Sequence, residues 1–260
     1  MIVREKYTAS VVGAGNVAFS LIPALQKKDI IVENVVSRDE IKAKKFASRY
    51  ETGFKVLDKD LSLSSQLIFL TVSDDHIEEV AVQLNVVDSQ MLLHTSGSTD
   101  LKVLKQHALH SGVLYPLQSF TSQRLIDISR VPLCVEASDL KTLNILQDVA
   151  ALLSSRFMIM SSKQRKQLHL AAVFVSNFTN HMYDIAHWLL EKEKIDFSLM
   201  YPLIEETTAK IKRIKPGEAQ TGPALRDNKK IMEVHKKMLK SDHELSELYE
   251  AISKSIKDFR

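Results

Sequence analysis

A chain of 260 residues, 45% hydrophobic and 26% charged, can bury a substantial core and suits one large or two modest domains. Its net charge of +3, with no basic block interleaved with aromatics, argues against a nucleic-acid partner, and a single cysteine excludes a disulfide framework. The opening Met1-Ile2-Val3-Arg4-Glu5-Lys6 lacks an apolar signal core and no run approaches a membrane span. The expectation is therefore a cytoplasmic protein that handles a small molecule, with no membrane partner.

The first predicted strand, Thr8 to Val12, runs into Gly13-Ala14-Gly15-Asn16-Val17-Ala18, and Val17, Ala18, Leu21, Ile22 and Leu25 then recur at helical spacing. A strand before and a helix after a G-x-G-x-x-A pattern is the context a dinucleotide fingerprint requires. Gly13 permits the tight turn and Gly15 the close approach of a pyrophosphate to Ala14, Asn16 and Val17. Ala18 lets the helix pack on the sheet. The alternative is a tight turn in some other α/β sheet. Pro23, inside the helix, predicts a local kink.

The second predicted strand, Ile30 to Val36, leads into Ser37-Arg38-Asp39. NAD enzymes usually place an acid here, about twenty residues after the glycines, to bond the ribose 2′-hydroxyl. Ser37 takes that place, and Arg38 follows as a guanidinium able to hold a 2′-phosphate in bidentate fashion, which predicts NADP. Asp39, two residues on, is the feature that would restore NAD, and a solvated helix start is the plain alternative for Arg38.

Within the predicted strand Gln66 to Val72, the run Leu67 to Val72 is apolar on both faces, as a central parallel strand should be. Val72, Ser73 and Asp74 follow as cofactor candidates. Ser73-Asp74 also reads as a cap for a helix carrying Ile77, Val80, Ala81 and Leu84, with Glu78 and Glu79 in its first turn. The strand Met91 to Thr95 opens the hydroxyl-rich loop His94-Thr95-Ser96-Gly97-Ser98-Thr99, where Ser96 is a substrate candidate. His110, and Tyr115 to Gln118 after a strand at Val113 to Tyr115, form a third such loop. Capping or ligand contact explains each equally. Val131 to Glu136, with Cys134 as a buried position, and Arg156 to Met160 complete the strands.

From Ser162 onward everything reads as helix: Lys163 to Glu193, Phe197 to Ile214, Lys229 to Lys240 and Asp242 to Asp258. The fold class is α/β, a Rossmann doubly wound, mainly parallel sheet over 1–161 followed by an all-α domain over 162–260. The first long helix is apolar nearly all round at its start, so it should be buried on several sides. That surplus predicts a homodimer through the helical domain. At about 100° per residue, His169, Asn177, Asn180, Asp184 and His187 share one side with His181 beside them, either a wet cleft or a buried network. No third ligand accompanies His181 and Asp184, so no metal is expected. The break from Glu218 to Asp227 carries Thr221 and Arg226, the latter suited to a substrate carboxylate or merely to a surface turn.

Taken in order, Gly13 to Ala18, Val72 to Asp75, His94 to Ser98, Tyr115 to Phe120, Asn177 to His181 and Ala219 to Ala224 give the chain a specific likeness. It resembles NADP-dependent oxidoreductases that join a Rossmann-like domain to a helical domain of unknown function. That group is similar to pyrroline-5-carboxylate reductases, ketopantoate reductases and β-hydroxyacid dehydrogenases, all of the 6-phosphogluconate-dehydrogenase-like class. The resemblance implies nucleotide binding at Gly13, Gly15, Asn16 and Val17, a cleft faced by Asn177, Asn180 and His181, and a homodimer. β-Hydroxyacid dehydrogenases carry a lysine one turn before an asparagine. If Asn177 is that asparagine, the lysine's place is Val173, which transfers no proton. His181 is then the candidate acid/base, Asn177 and Asn180 orient the substrate, and Ser96 and Thr221 are secondary contacts. The expected activity is hydride transfer to or from a small polar, carboxylate-bearing substrate. Its rival is an NADP(H) sensor without turnover.

Overall fold

The computed structural model describes residues 7–259. β1 (Thr8–Val12), α1 (Asn16–Gln26), β2 (Ile31–Ser37), α2 (Glu40–Tyr50) and β3 (Gly53–Val56) build the first half of a doubly wound sheet. After the short β4 (Leu61–Ser62) come β5 (Leu67–Leu70), α3 (Ile77–Val82), β6 (Leu84–Asn85), β7 (Met91–His94), α4 (Lys102–Lys105) and β8 (His110–Pro116). β9 (Leu133–Ala137), α5 (Leu140–Leu153) and β10 (Phe157–Ile159) close it. The eight-stranded order is β10-β9-β8-β7-β5-β1-β2-β3, and β4 pairs with β6 apart from it. Every neighbouring pair in the large sheet is parallel except β8 with β9.

Strand pleating sorts the apolar residues onto two faces. Ala9, Val11, Leu67, Phe69, Met91 and Leu93 pack with α1 and α5, whereas Val12, Ile68, Leu70 and Leu92 pack with α3 and α4. β5 is buried throughout, as its unbroken apolar run requires. Strand order reverses at β1, whose neighbours are β2 and β5, and ligands of open α/β sheets bind beyond the carboxyl ends of strands at such a switch point. α1 continues as one helix through Pro23. Cys134 is buried in β9. β3, β4 and β6 are absent from the sequence expectation; they are two to four residues long, too short for a period to register.

The helical part holds α6 (Ser162–Ala172), a π-helical turn at Val173–Phe178, α7 (Thr179–Lys192), α8 (Tyr201–Lys210), α9 (Pro216–Ala219), α10 (Lys229–Met238) and α11 (His243–Asp258). The π turn corrects the uniform helix expected from Lys163 to Glu193. Its wider winding rotates the residues after it, so a stripe drawn at constant pitch does not hold across Val173–Phe178. This chain alone does not supply the burial expected on several sides: Phe174 is 61% and Val175 74% exposed. Packing divides the chain into a unit that runs through His181 and a second from Met182 onward, so α6, the π turn and the start of α7 belong with the sheet. No helix among the described residues is long and apolar enough to cross a membrane.

Candidate functional site

The glycine loop is shaped by its neighbours. Gly13 has φ +117°, and a Cβ there would lie 2.7 Å from the Thr71 hydroxyl and 2.9 Å from its carbonyl carbon. Thr71 clasps the turn, its Oγ1 donating to the Val12 and Gly13 carbonyls at 3.2 and 3.1 Å. Gly15 is exposed, and a Cβ on it would meet nothing nearer than 3.9 Å. As the N-cap of α1, Gly15 supplies no side-chain acceptor, so the first-turn amides face outward uncapped. That geometry suits a pyrophosphate.

At the end of β2, Asp39 caps α2 by accepting from Lys42 N at 3.0 Å, and its own amide donates to Ser37 Oγ at 3.1 Å. The acid that would favour NAD is thus engaged by the helix. Arg38 is exposed and pairs at 3.2 Å with Glu79, in the first turn of α3. Beyond β5, Val72 is half-buried and Ser73 and Asp74 are exposed. Ser73 does not cap a backbone amide, contrary to expectation; its hydroxyl bonds the neighbouring His76 ring at 2.8 Å, which competes for it. Glu78 and Glu79 do occupy the first turn of α3. Asp74 accepts from the Ser98 hydroxyl, tying the loops after β5 and β7 together.

The loop after β7 is held from inside. Arg165 is wholly buried and donates through Nη1 to the carbonyls of Ser96 and Gly97 at 2.9 and 3.2 Å. Through Nη2 it meets Glu136 at 3.0 Å and Ser162 Oγ at 3.1 Å. Glu136 in turn accepts from the amide and hydroxyl of Ser162 at the start of α6, where a carboxylate suits the helix dipole. A capping box between Ser161 and Gln164 starts that helix. His94 is buried, and its Nδ1 accepts from Ser96 N at 3.1 Å. Burial, reinforced by the Arg165 charge, lowers its pKa to about 3, so the ring is neutral.

Beside this loop a groove of about 510 Å³ opens between Leu117–Ser119, beyond β8, and the face of α6 and the π turn. Tyr115, Gln118, Ser119, His169, Ser176 and Asn177 give its polar lining, with Leu168, Ala172 and Val173 among the apolar part. Val173, at the position a lysine would take, does face this groove.

Asn177 therefore lines the groove, while Asn180 and His181 are exposed in the first turn of α7 and stand outside its lining. Ser96 is buried, its hydroxyl accepting from the amides of Ser98 and Thr99 and donating to Thr99 Oγ1 at 3.0 Å. Thr221 and Arg226 are exposed on the segment between α9 and α10 of the second unit. His110 opens β8 at its amino end, which corrects its placement in a carboxyl-end loop, and pairs with Asp139 at 3.0 Å. Burial opposes ionisation of Asp139, yet the Thr142 hydroxyl and amide, His110 and Ser138 hold its carboxyl well below the usual range. Thr71, Arg165 and the contact of Tyr115 with His169 escaped the sequence reading.

Residues 8–95 match the family described as NADP oxidoreductase, coenzyme F420-dependent, and residues 131–256 match a domain of unknown function, DUF2520. BF3122 from Bacteroides fragilis, provisionally described as an NADP oxidoreductase, is 35% identical over 98% of this chain and 99% of that one, with a TM-score of 0.88. A reductive aminase from Aspergillus terreus, solved with NADPH and ethyl-5-oxohexanoate, shares the fold at 14% identity, covering 97% and 94% of the two chains, TM-score 0.72. So does 1-pyrroline-5-carboxylate reductase from Streptococcus pyogenes, at 12% identity, 98% and 99% coverage and TM-score 0.62. No protein of curated function is significantly similar in sequence.

Proposed function

Because this chain belongs to the NADP oxidoreductase family that joins a Rossmann unit to the DUF2520 domain, we propose that it binds NADP(H) over Gly13 to Ala18 and transfers a hydride to or from a small polar substrate. The observation that carries this reading is the paired behaviour of the glycines: Gly13 wedged against Thr71, Gly15 open beneath uncapped helix amides. The pyrophosphate takes the amides of Ala14, Asn16 and Val17. Arg38, turned from Glu79, meets the 2′-phosphate with Ser37 beside it, while Asp39 stays with α2. Val72, Ser73 and Asp74 border the dinucleotide beyond β5.

With the adenosine half at β2, the nicotinamide half extends past β5 toward β7 and β8, where the groove lies. Reduced NADP supplies a hydride there and leaves the substrate heteroatom with an electron pair to be protonated. Asn177 orients the substrate through its amide. The groove's lining carries no lysine or arginine, and within the second unit the exposed Arg226 and Thr221 are the groups suited to a substrate carboxylate. The protein works in the cytoplasm as a homodimer built on the helical unit.

Calorimetric titration with NADPH and NADH tests this reading. NADPH should bind more tightly, and Gly15→Val should abolish binding of both by filling the space above the amides. Absence of binding by the unmodified protein would overturn the proposal, and binding without consumption of NADPH in the presence of any carbonyl or imine would leave the sensor.

A further inference from the structure

We propose that Tyr115 and His169 are the proton-delivering pair of this site, with the Tyr115 hydroxyl toward the substrate heteroatom and the His169 imidazole behind it; this rests on the NADP(H) reading above. The two are the only titratable side chains lining the groove among the described residues. Tyr115 comes from the carboxyl end of β8 and His169 from the last turn of α6, and Tyr115 Oη lies 3.1 Å from His169 Nδ1. Their rings meet edge to face, with centroids 5.9 Å apart at 75°.

The seat beneath them is cut to glycine. A Cβ on Gly97 would lie 2.6 Å from His169 Nδ1 and 2.7 Å from Tyr115 Cζ, so any side chain there would push the pair apart. Arg165, bonded to the Gly97 and Ser96 carbonyls and braced by Glu136, keeps that seat in place without touching the groove. It is a positioning residue. Gly97 lies three residues beyond the end of β7, the strand next to β5, on the side of the crevice assigned above to the nicotinamide.

In the reducing direction, the heteroatom's new electron pair takes the proton from Tyr115 Oη, forming one X–H bond as the phenol O–H breaks. The phenolate oxygen recovers the Nδ1 proton of His169 as solvent delivers one to Nε2 of the same ring, so the imidazole relays a proton without changing its charge. Burial pushes the Tyr115 phenol up to about 12, so it holds its proton at neutral pH until such a base forms. His169 Nδ1, 3.1 Å from Tyr115 Oη, is placed to return that proton.

The test is NMR of protein carrying ¹³C-labelled histidine and tyrosine rings. Cyclohexanone and glyoxylate, as uncharged and charged carbonyl probes, are added in the presence of NADP⁺ so that no turnover occurs. At least one probe should move the Tyr115 and His169 signals together, and Tyr115→Phe should remove the His169 response while NADPH affinity stays unchanged. Gly97→Ala should shift the His169 signal in the free protein. With NADPH and the probe that binds, Tyr115→Phe and His169→Gln should each slow consumption by about 10²–10⁴-fold. Signals that ignore both probes, or variants that consume NADPH at the unmodified rate, would overturn the pair while leaving cofactor binding intact. Failure of the unmodified protein to bind NADPH would remove the premise itself.

Discussion

The two units of this protein solve the problem of burial differently. Through His181 the chain wraps a sheet on both faces and holds nearly all of the fully buried side chains; from Met182 on, only Ala224 and Ser253 are buried among the described residues. The helical unit leaves Leu199, Leu203 and Met238 at 65%, 63% and 75% exposure. A sheet layered with helices encloses a core within one chain, whereas α8, α10 and α11 have apolar surface that their own chain does not cover. The difference teaches where each unit's stability comes from. Burial within the chain sustains the first, and the proposed second copy completes the second.

The largest effect should come from attacking that missing cover. Leu203→Asp combined with Met238→Asp places charges on the exposed apolar surface, which an interface would have to desolvate. Light scattering should give a dimer mass for the unmodified protein and a monomer mass for the variant. Its melting temperature should fall, since loss of a partner present at about 1,000 times its dissociation constant removes about 4 kcal/mol. A monomer mass for the unmodified chain at micromolar concentration would refute the proposed division of labour.

Inside the first unit the comparison predicts a cost of another kind, because its polar groups are locked in the core. Glu136→Ala strands the Arg165 guanidinium, which has no exposure, and should destabilise the fold by about 3–5 kcal/mol in urea unfolding. Replacing both partners by apolar residues, Arg165→Met with Glu136→Leu, should recover most of that loss. It should still impair the site, because the Gly97 carbonyl loses its donor.

His94 sharpens the same point through pH. Its pKa is held at about 3 in the fold against an ordinary 6.5, chiefly by burial. Between those values the unfolded chain binds a proton that the folded chain refuses, so stability is fully present above pH 6.5 and drains as pH falls. The slope should approach about 1.4 kcal/mol per pH unit below 6.5. His94→Asn, which keeps an acceptor for Ser96 N, should flatten the melting temperature against pH between 6.5 and about 4. An unchanged slope would mean that other groups control acid unfolding.

What could be read in advance follows the range of the interactions. The glycine loop was legible because its chemistry is local: a strand, two glycines and a small residue within six positions. Central strands such as Leu67–Leu70 showed as continuous apolar runs, whereas β3 at the sheet edge has only four residues, partly exposed. Arg165 sits among Lys163, Gln164, Lys166 and Gln167 and looks solvated; its burial is imposed by Glu136 and by carbonyls that come from other elements. Tyr115 and His169 are 54 residues apart, and only the sheet and α6 bring them together. No propensity announces the π turn at Val173–Phe178, so the polar stripe drawn across it grouped His181 with residues that line the groove.

The smallest effect concerns cofactor choice, and it asks whether the first unit decides that alone. Arg38 and Asp39 are adjacent yet already hold different posts: Asp39 closes the first turn of α2, while Arg38 is exposed and bonded to another surface residue, Glu79. An exposed pair of that kind costs little to break, about 0–1 kcal/mol, so Arg38 is free to exchange Glu79 for a 2′-phosphate. Charge-assisted bonds to phosphate contribute about 1.5–3 kcal/mol, so NADPH should bind about tenfold or more tightly than NADH. Arg38→Ala should erase most of that ratio by weakening NADPH and leave NADH nearly as before. Glu79→Gln, by releasing Arg38, should strengthen NADPH slightly. Arg226→Ala, in the second unit, should leave both affinities where they were. Equal affinities in the unmodified protein would show that Asp39 leaves its helix for the ribose, and a response to Arg226→Ala would show that the helical unit shares in a choice here assigned to the sheet.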